Sequence, residues 1–186
     1  MRRAVLLDRD GVVIRTKVRG GLPYPPESPA EVELDPDAGP ALAALSRAGY
    51  LLILITNQPD VARGSQSRAV VERINTLLLD SLPITDCFVC YHDDADDCAC
   101  RKPRPGLILE AARRYALDLA ASFVIGDRWR DVAAGCAAGA ATIWIDRGYR
   151  EKAPAQPPDA IVSSLGEAAS WILAHAPGDR PRMNTD

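Results

Sequence analysis

Short apolar runs alternate along this chain with longer stretches of helical periodicity. Ala4-Val5-Leu6-Leu7, Leu51 to Ile55, Phe88 to Cys90, Ser122 to Ile125, Thr142 to Ile145 and Ile161-Val162 read as buried strands. Between them lie five helical segments. Asp37 to Ala48 is rich in Ala and Leu and is stopped by Gly49. Ser67 to Leu79 places Val70, Val71, Ile74, Leu77 and Leu78 on one broad face. Pro105 to Tyr115 carries proline in its first turn. Trp129 to Ala138 and Leu165 to His175 complete the set. Strict alternation of strand and helix predicts an α/β fold: three layers, a Rossmann-like parallel sheet with helices on both faces. Neither a repeat nor a second core is visible, and the spacing leaves no room for a large cap domain. Gly20 to Pro29 reads as a loop or flap and is the one candidate lid. The expected organisation is one domain over residues 1–176, with a disordered tail over 177–186.

Composition is that of an ordinary globular protein. The chain has 186 residues, 47% hydrophobic and 25% charged, with a formal net charge of -3. The charge argues against a nucleic-acid binder, which would present a basic face. The N-terminus offers Met-Arg-Arg and four apolar residues before Asp8, too short for a signal peptide. No apolar run approaches the roughly 20 residues of a membrane span. The expectation is a cytoplasmic monomer with neither nucleic-acid nor membrane partners. Five cysteines in a reducing compartment favour metal over disulfides.

Four residues have metal-ligand spacing. Cys90, His92, Cys98 and Cys100 read Cys-x-His, five residues, then Cys-x-Cys. Three thiolates and an imidazole complete a tetrahedral Zn²⁺ shell without an open position, so the site is structural. A disulfide or unrelated thiols is the alternative. This loop runs into Arg101, Lys102 and Pro103, and cations aimed by a rigid loop suggest a phosphate. Cys87 and Cys136 are then spare, expected as small buried residues. Asp93, Asp94, Asp96 and Asp97 read as a solvated acidic loop rather than a second metal site. His175 reads as a structural residue at a helix end, and Trp129 and Trp144 as packing.

Three strand ends carry polar residues of matching kind. The first gives Asp8 and Asp10, the second Thr56, Asn57 and Gln58 after Ile55, and the fourth Gly126-Asp127-Arg128 with Asp131 beyond. In a parallel sheet these ends converge on one edge, where ligands bind. A set of carboxylates, a hydroxyl and the Lys102 ammonium suits phosphoryl transfer. One carboxylate attacks phosphorus, and Mg²⁺ on oxygen ligands offsets the charge repulsion. Lys102 and Thr56 bind phosphoryl oxygens, and a second carboxylate handles the leaving-group and water protons.

DRDGVV, TNQ, RKP and GDRWRD occur in that order, and with them the chain resembles the haloacid dehalogenase superfamily of aspartyl phosphatases. The run TNQPDVARG and the segment from Cys90 to Gly106 make it similar to the histidinol-phosphatase-like subgroup. That resemblance covers roughly residues 4–175. It implies Asp8 as nucleophile and Asp10 as general acid/base. It implies Mg²⁺ on Asp8, the Asp10 carbonyl and Asp127, with Asp131 in support. Thr56 and Lys102 would hold the phosphoryl group. Asn57, Gln58, Arg63, Arg101 and Arg128 would contact substrate, with helix capping the alternative for Arg63 and covering the zinc thiolates the alternative for Arg101. The implied substrate is a small phosphorylated sugar, preferentially a heptose 1,7-bisphosphate cleaved at carbon 7. Histidinol phosphate is the alternative within the subgroup, a nucleic-acid 3′-phosphatase is disfavoured by charge, and a non-catalytic zinc-stabilised binding module is the alternative of another class. Three departures bear on the sugar: the stretch Thr16 to Tyr24, Pro59-Asp60 where Ser-Gly is usual, and a short zinc loop. They fall where the leaving group would sit.

Overall fold

The computed structural model describes residues 1–175; the expected tail over 177–186 lies outside them. Its strands are β1 (Ala4–Leu7), β2 (Lys17–Arg19), β3 (Leu22–Tyr24), β4 (Leu51–Asn57), β5 (Asp86–Cys90), β6 (Phe123–Gly126), β7 (Ala141–Ile145) and β8 (Ala160–Val162). Its α-helices are α1 (Ala38–Arg47), α2 (Arg68–Ser81), α3 (Gly106–Tyr115), α4 (Trp129–Ala138) and α5 (Leu165–Ala174). Six strands form one parallel sheet in the order β5-β4-β1-β6-β7-β8. The order reverses direction at β1, so the crevice outside the carboxyl ends of β1 and β6 is the place where such sheets bind ligands. No helix among the described residues is long and apolar enough to cross a membrane.

Residues of β1 alternate between two cores. Val5 and Leu7 face α1, α2 and α5 through Leu42, Ile74 and Ile172, whereas Ala4 and Leu6 face α3 and α4 through Ile108 and Ala134. Burial on both faces explains why these strands read as continuous apolar runs. Cys98 and Cys100 pack against the second core, which ties the predicted zinc loop to the sheet.

Several expectations are corrected. Gly20 to Pro29 is not an unstructured flap. Lys17–Arg19 and Leu22–Tyr24 pair antiparallel, joined by Gly20 and Gly21, both at positive φ as a two-residue hairpin turn requires. The hairpin strands are largely exposed and left no alternation to read. Helix α2 buries Val71, Ile74, Asn75 and Leu78, while Leu77 faces solvent. Its inward face therefore includes a polar residue the hydrophobic pattern passed over. Thr56 and Asn57 belong to β4 itself rather than to a following loop. Cys87 and Cys136 are half-buried rather than buried.

The turn after β1 is tied to β6. Gly11 has φ of 86°, and a Cβ there would overlap Asp127 Oδ2. Arg147 Nε donates to the Gly11 carbonyl at 3.0 Å and its Nη2 to Asp35 at 2.7 Å, pinning the turn. Gly20, at φ 60°, has nothing within 4 Å of its would-be Cβ. Gly20→Ala should therefore lose only the left-handed backbone cost of about 1–2 kcal/mol. Gly11→Ala should lose clearly more in urea unfolding, because Asp127 must also move. Equal losses would show that the turn does not rest against Asp127.

Candidate active site

The residues after β1 and β6 meet. Asp8, Asp127 and Asp131 are all buried, and one carboxylate oxygen from each lies within 4.8 Å of the others. Asp131 reaches this point because Gly126 has no side chain: a Cβ there would overlap Asp131. Trp144 Nε1 donates to the Asp127 carbonyl at 3.1 Å, fixing the loop from below. Lys102 Nζ stands 2.9 Å from Asp8 Oδ1 and 2.6 Å from Asp131 Oδ1, and donates to the Ile55 carbonyl at 2.8 Å. Lys102 is itself positioned by Asn57, whose amide donates to the Lys102 carbonyl at 3.0 Å and accepts from its N–H at 3.1 Å.

Charge explains the titration of the cluster. Burial pushes the Lys102 pKa down, but Asp131 and Asp8 push it further up, so it is held above the ordinary lysine value. Burial, then Asp8 and Asp131, push Asp127 well above the carboxylate range. Burial also raises Asp131, opposed chiefly by Lys102. Neither oxygen of Asp127 meets a hydrogen-bond donor in bonding geometry. Buried carboxylate oxygens without partners, grouped around one point, are the donor set of a hard divalent cation. The residues present fit Mg²⁺.

Asp10 takes a different neighbourhood. Its carboxylate accepts from Arg9 and, at 2.7 Å, from Gln58 Nε2, which also donates to Thr56 Oγ1 at 2.9 Å. Asp10 lines the same cleft as Asp8, Asp131 and Lys102, a space of 300 Å³. Its outer wall is the hairpin, through Leu22, Pro23, Tyr24 and Pro25. Asn57, Gln58, Arg63 and Arg128, expected from the sequence to contact substrate, are among its lining residues. Arg101 does not: its guanidinium donates to Asp94 at 2.8 Å and faces the zinc loop. Arg130, which the sequence reading passed over, lines the cleft instead. The rim arginines are each paired, Arg63 with Asp93 at 2.6 Å, Arg130 with Asp94 at 3.1 Å, and Arg128 with Glu151. Asp93 and Asp94 are thus charge partners rather than a merely solvated loop. Arg63 holds the Asp93 carboxyl down at about 2.

The cysteine loop closes on itself. Cys90 and Cys98 Sγ are 3.6 Å apart, Cys100 and Cys98 Sγ 3.4 Å, and His92 Nδ1 lies 3.3 Å from Cys100 Sγ. A zinc–sulfur bond of about 2.3 Å puts tetrahedral sulfurs roughly 3.8 Å apart. All five cysteines are free thiols, so the disulfide alternative is not the one adopted. Gly106 N donates to the Ala99 carbonyl at 3.2 Å, and a Cβ at Gly106 would overlap that oxygen, so α3 starts hard against the loop.

Known proteins share this architecture. A family model described as HAD-hydrolase-like matches residues 99–168, the span from the cysteine loop through Lys102, Asp127 and Asp131. The D-glycero-β-D-manno-heptose-1,7-bisphosphate 7-phosphatase of Mesorhizobium japonicum is 36% identical over 91% of this chain and 82% of its own length. The enzyme of the same name from Bordetella bronchiseptica is 35% identical over 83% of this chain and 86% of its own. The crystal structure of the D,D-heptose 1,7-bisphosphate phosphatase from B. bronchiseptica, complexed with magnesium and phosphate, superposes with a TM-score of 0.75 at 31% identity, over 94% of this chain and 99% of that one. Agreement of family model, near full-length relatives and fold establishes that this chain belongs to the haloacid-dehalogenase-like hydrolases.

Proposed function

We propose that the chain is a Mg²⁺-dependent phosphatase that works through an aspartyl-phosphate on Asp8 and removes the 7-phosphate of a D-glycero-D-manno-heptose 1,7-bisphosphate. The observation that carries this reading is the Asp8–Asp127–Asp131 cluster, with its unpartnered Asp127 oxygens, facing Lys102 at the switch point of the sheet. Relatives of that name at 36% and 35% identity supply the sugar. We assign the whole of residues 1–176 to one catalytic domain.

Asp8 is the nucleophile. Its Oδ bonds phosphorus as the bond from phosphorus to the leaving oxygen breaks. Mg²⁺, held by Asp8, Asp127 and the Asp10 carbonyl with Asp131 in support, would neutralise the charge that otherwise repels a carboxylate from a phosphate dianion. Lys102 binds a phosphoryl oxygen. Thr56 Oγ1 accepts from Gln58, which leaves its own O–H free to donate to another. Asp10 protonates the leaving alkoxide and then takes the proton of the water that hydrolyses the intermediate. Arg63, Arg128 and Arg130 stand where the distal phosphate would lie. Their carboxylate partners are partly exposed, and such pairs are worth about 0–1 kcal/mol, so a phosphate can replace them at little cost. Arg101 acts on substrate only if it leaves Asp94. Cys90, His92, Cys98 and Cys100 hold a structural Zn²⁺ that fixes the approach of Lys102.

A second reading, histidinol phosphate or another small phosphomonoester, is favoured by one feature: every rim arginine is already compensated by a carboxylate. Phosphate release from both heptose 1,7-bisphosphate anomers, histidinol phosphate and sugar monophosphates separates the two. The expected result is a strong preference for one heptose anomer, with Asp8→Asn lower by on the order of 10³-fold or more. Flat, weak activity lost in Asp8→Asn would discard the sugar and keep the chemistry. Activity surviving Asp8→Asn would overturn the mechanism.

The metals have their own signatures. A carboxyl with a raised pKa favours its protonated form in the fold, so its stability contribution is present at low pH and lost as pH rises through the folded value. Asp127 should therefore weaken the metal-free protein at higher pH, and Mg²⁺ should restore it. The gain in melting temperature on adding Mg²⁺ should be larger at about pH 8 than at about pH 5.5, where protons compete. Equal gains would contradict a carboxylate site. Protein purified without chelator should carry about one zinc per chain, and metal-free protein with reactive thiols would contradict the zinc assignment.

A further inference from the structure

Arg9 heads the largest fully buried side chains among the described residues, at 1% exposure, and neither phosphoryl nor proton transfer as assigned above uses it. It sits between Asp8 and Asp10, but those two line the cleft and Arg9 does not. A charge so deeply buried needs partners on all its donors. Nε donates to Asp10 Oδ1 at 3.2 Å, and Nη2 to Asp10 Oδ1 at 3.1 Å and Oδ2 at 3.0 Å. Nη1 donates to Asn75 Oδ1 at 2.8 Å, 66 residues away. Asn75 is the polar residue on the buried face of α2. The two anomalies, a buried arginine and an inward asparagine, thus explain each other.

The pairing fixes a direction. A guanidinium is a rigid planar fork, and its three bonds to Asp10, two to Oδ1 and one to Oδ2, stop the carboxylate from rotating. From the other side Gln58, a cleft residue, bonds Oδ2 alone. Oδ2 can exchange its Gln58 bond for the leaving oxygen of a substrate while the Arg9 fork stays in place on the carboxylate. We propose that Arg9, anchored on Asn75 of α2, is the positioning residue that holds Asp10 for proton transfer; the inference rests on the aspartyl-phosphatase reading. In the first half-reaction the Asp8–phosphorus bond forms, the bond from phosphorus to the leaving oxygen breaks, and the Asp10 proton goes to that oxygen. In the second, water bonds phosphorus, the Asp8–phosphorus bond breaks, and Asp10 takes the water proton.

The test uses the full-length Mg²⁺-loaded protein with Arg9→Lys, Asn75→Ala and Asp8→Asn, on p-nitrophenyl phosphate and on the best alkyl phosphate of the substrate panel. Nitrophenolate departs without a proton, so phosphorylation of Asp8 by it does not need a positioned acid, whereas hydrolysis of the intermediate still needs the base. Arg9→Lys should give a burst of about one nitrophenolate per chain, at a burst rate within about threefold of the parent. The steady rate after it should fall about tenfold or more, in the range of general acid–base effects. On the alkyl phosphate kcat should fall at least as far, with KM within about threefold. Asn75→Ala, which removes one bond and no charge, should show the same pattern at smaller size and carries the test if Arg9→Lys does not fold. Equal loss of burst and steady rates on both substrates, a change in KM alone, or unchanged kinetics would overturn the inference. Asp8→Asn separates the two levels. If it is inactive while Arg9→Lys and Asn75→Ala lack the pattern, only the role of Arg9 falls. If it still turns over, the phosphatase reading falls and this inference with it.

Discussion

Everything at the carboxyl edge of this sheet answers to one charge balance. Asp8, Asp127 and Asp131 are buried together, and among the described residues Lys102 is the one cation that touches them in ion-pair distance, through Asp8 and Asp131. Three carboxylates and one ammonium leave a formal charge of −2. A low-dielectric site cannot hold that unaided: Asp127 moves toward protonation, and its oxygens go unpartnered. A divalent cation would remove the deficit, and under the proposed mechanism a phosphate dianion could then approach Asp8. Removing Lys102 alone would leave the carboxylates uncompensated, which for buried charges costs about 3–5 kcal/mol.

Holding Lys102 in place is the task of elements that carry no chemistry. Strand β5 delivers Cys90 to the cysteine cluster, and the loop returns through Cys98 and Cys100 to Lys102 two residues later. Asn57, at the end of the neighbouring strand, grips the Lys102 backbone at both N–H and C=O. The Cys/His cluster of that loop and an amide clamp on β4 therefore have one shared product, the location of a single ammonium group. Asp10 is supported differently, from the interior, by Arg9 and α2. Lys102 and Asp10 are thus set by separate parts of the fold.

The sequence was most informative where burial is periodic or where a motif is local. Strands buried on both faces are apolar runs, so β1, β4, β6 and β7 were legible, and so was the convergence of their carboxyl ends. Asp8 and Asp127 fall just past those ends and were found for that reason, whereas Lys102 was found because it follows the cysteine loop. What was not legible depended on long-range pairing. The hairpin β2–β3 is exposed and has no hydrophobic pattern. Asn75 looks like a polar interruption of α2 until Arg9, 66 residues away, supplies its partner. Arg101 and Arg130 lie in separate segments yet both reach Asp94, and only the fold shows that Arg130 lines the cleft and Arg101 does not. Glu151 and Asp93 gave no signal, because a carboxylate that neutralises an arginine has no spacing rule across a tertiary contact.

The central claim is that phosphorus becomes bonded to Asp8, and it is tested most directly by trapping that bond. Mg²⁺-loaded protein turning over its best phosphomonoester would be acid-quenched, reduced with borohydride and peptide-mapped. An acyl phosphate is reduced to the alcohol, so the account predicts homoserine at position 8, dependent on both Mg²⁺ and substrate. An unreduced Asp8 under conditions of rapid turnover, or reduction at another carboxylate, would contradict it.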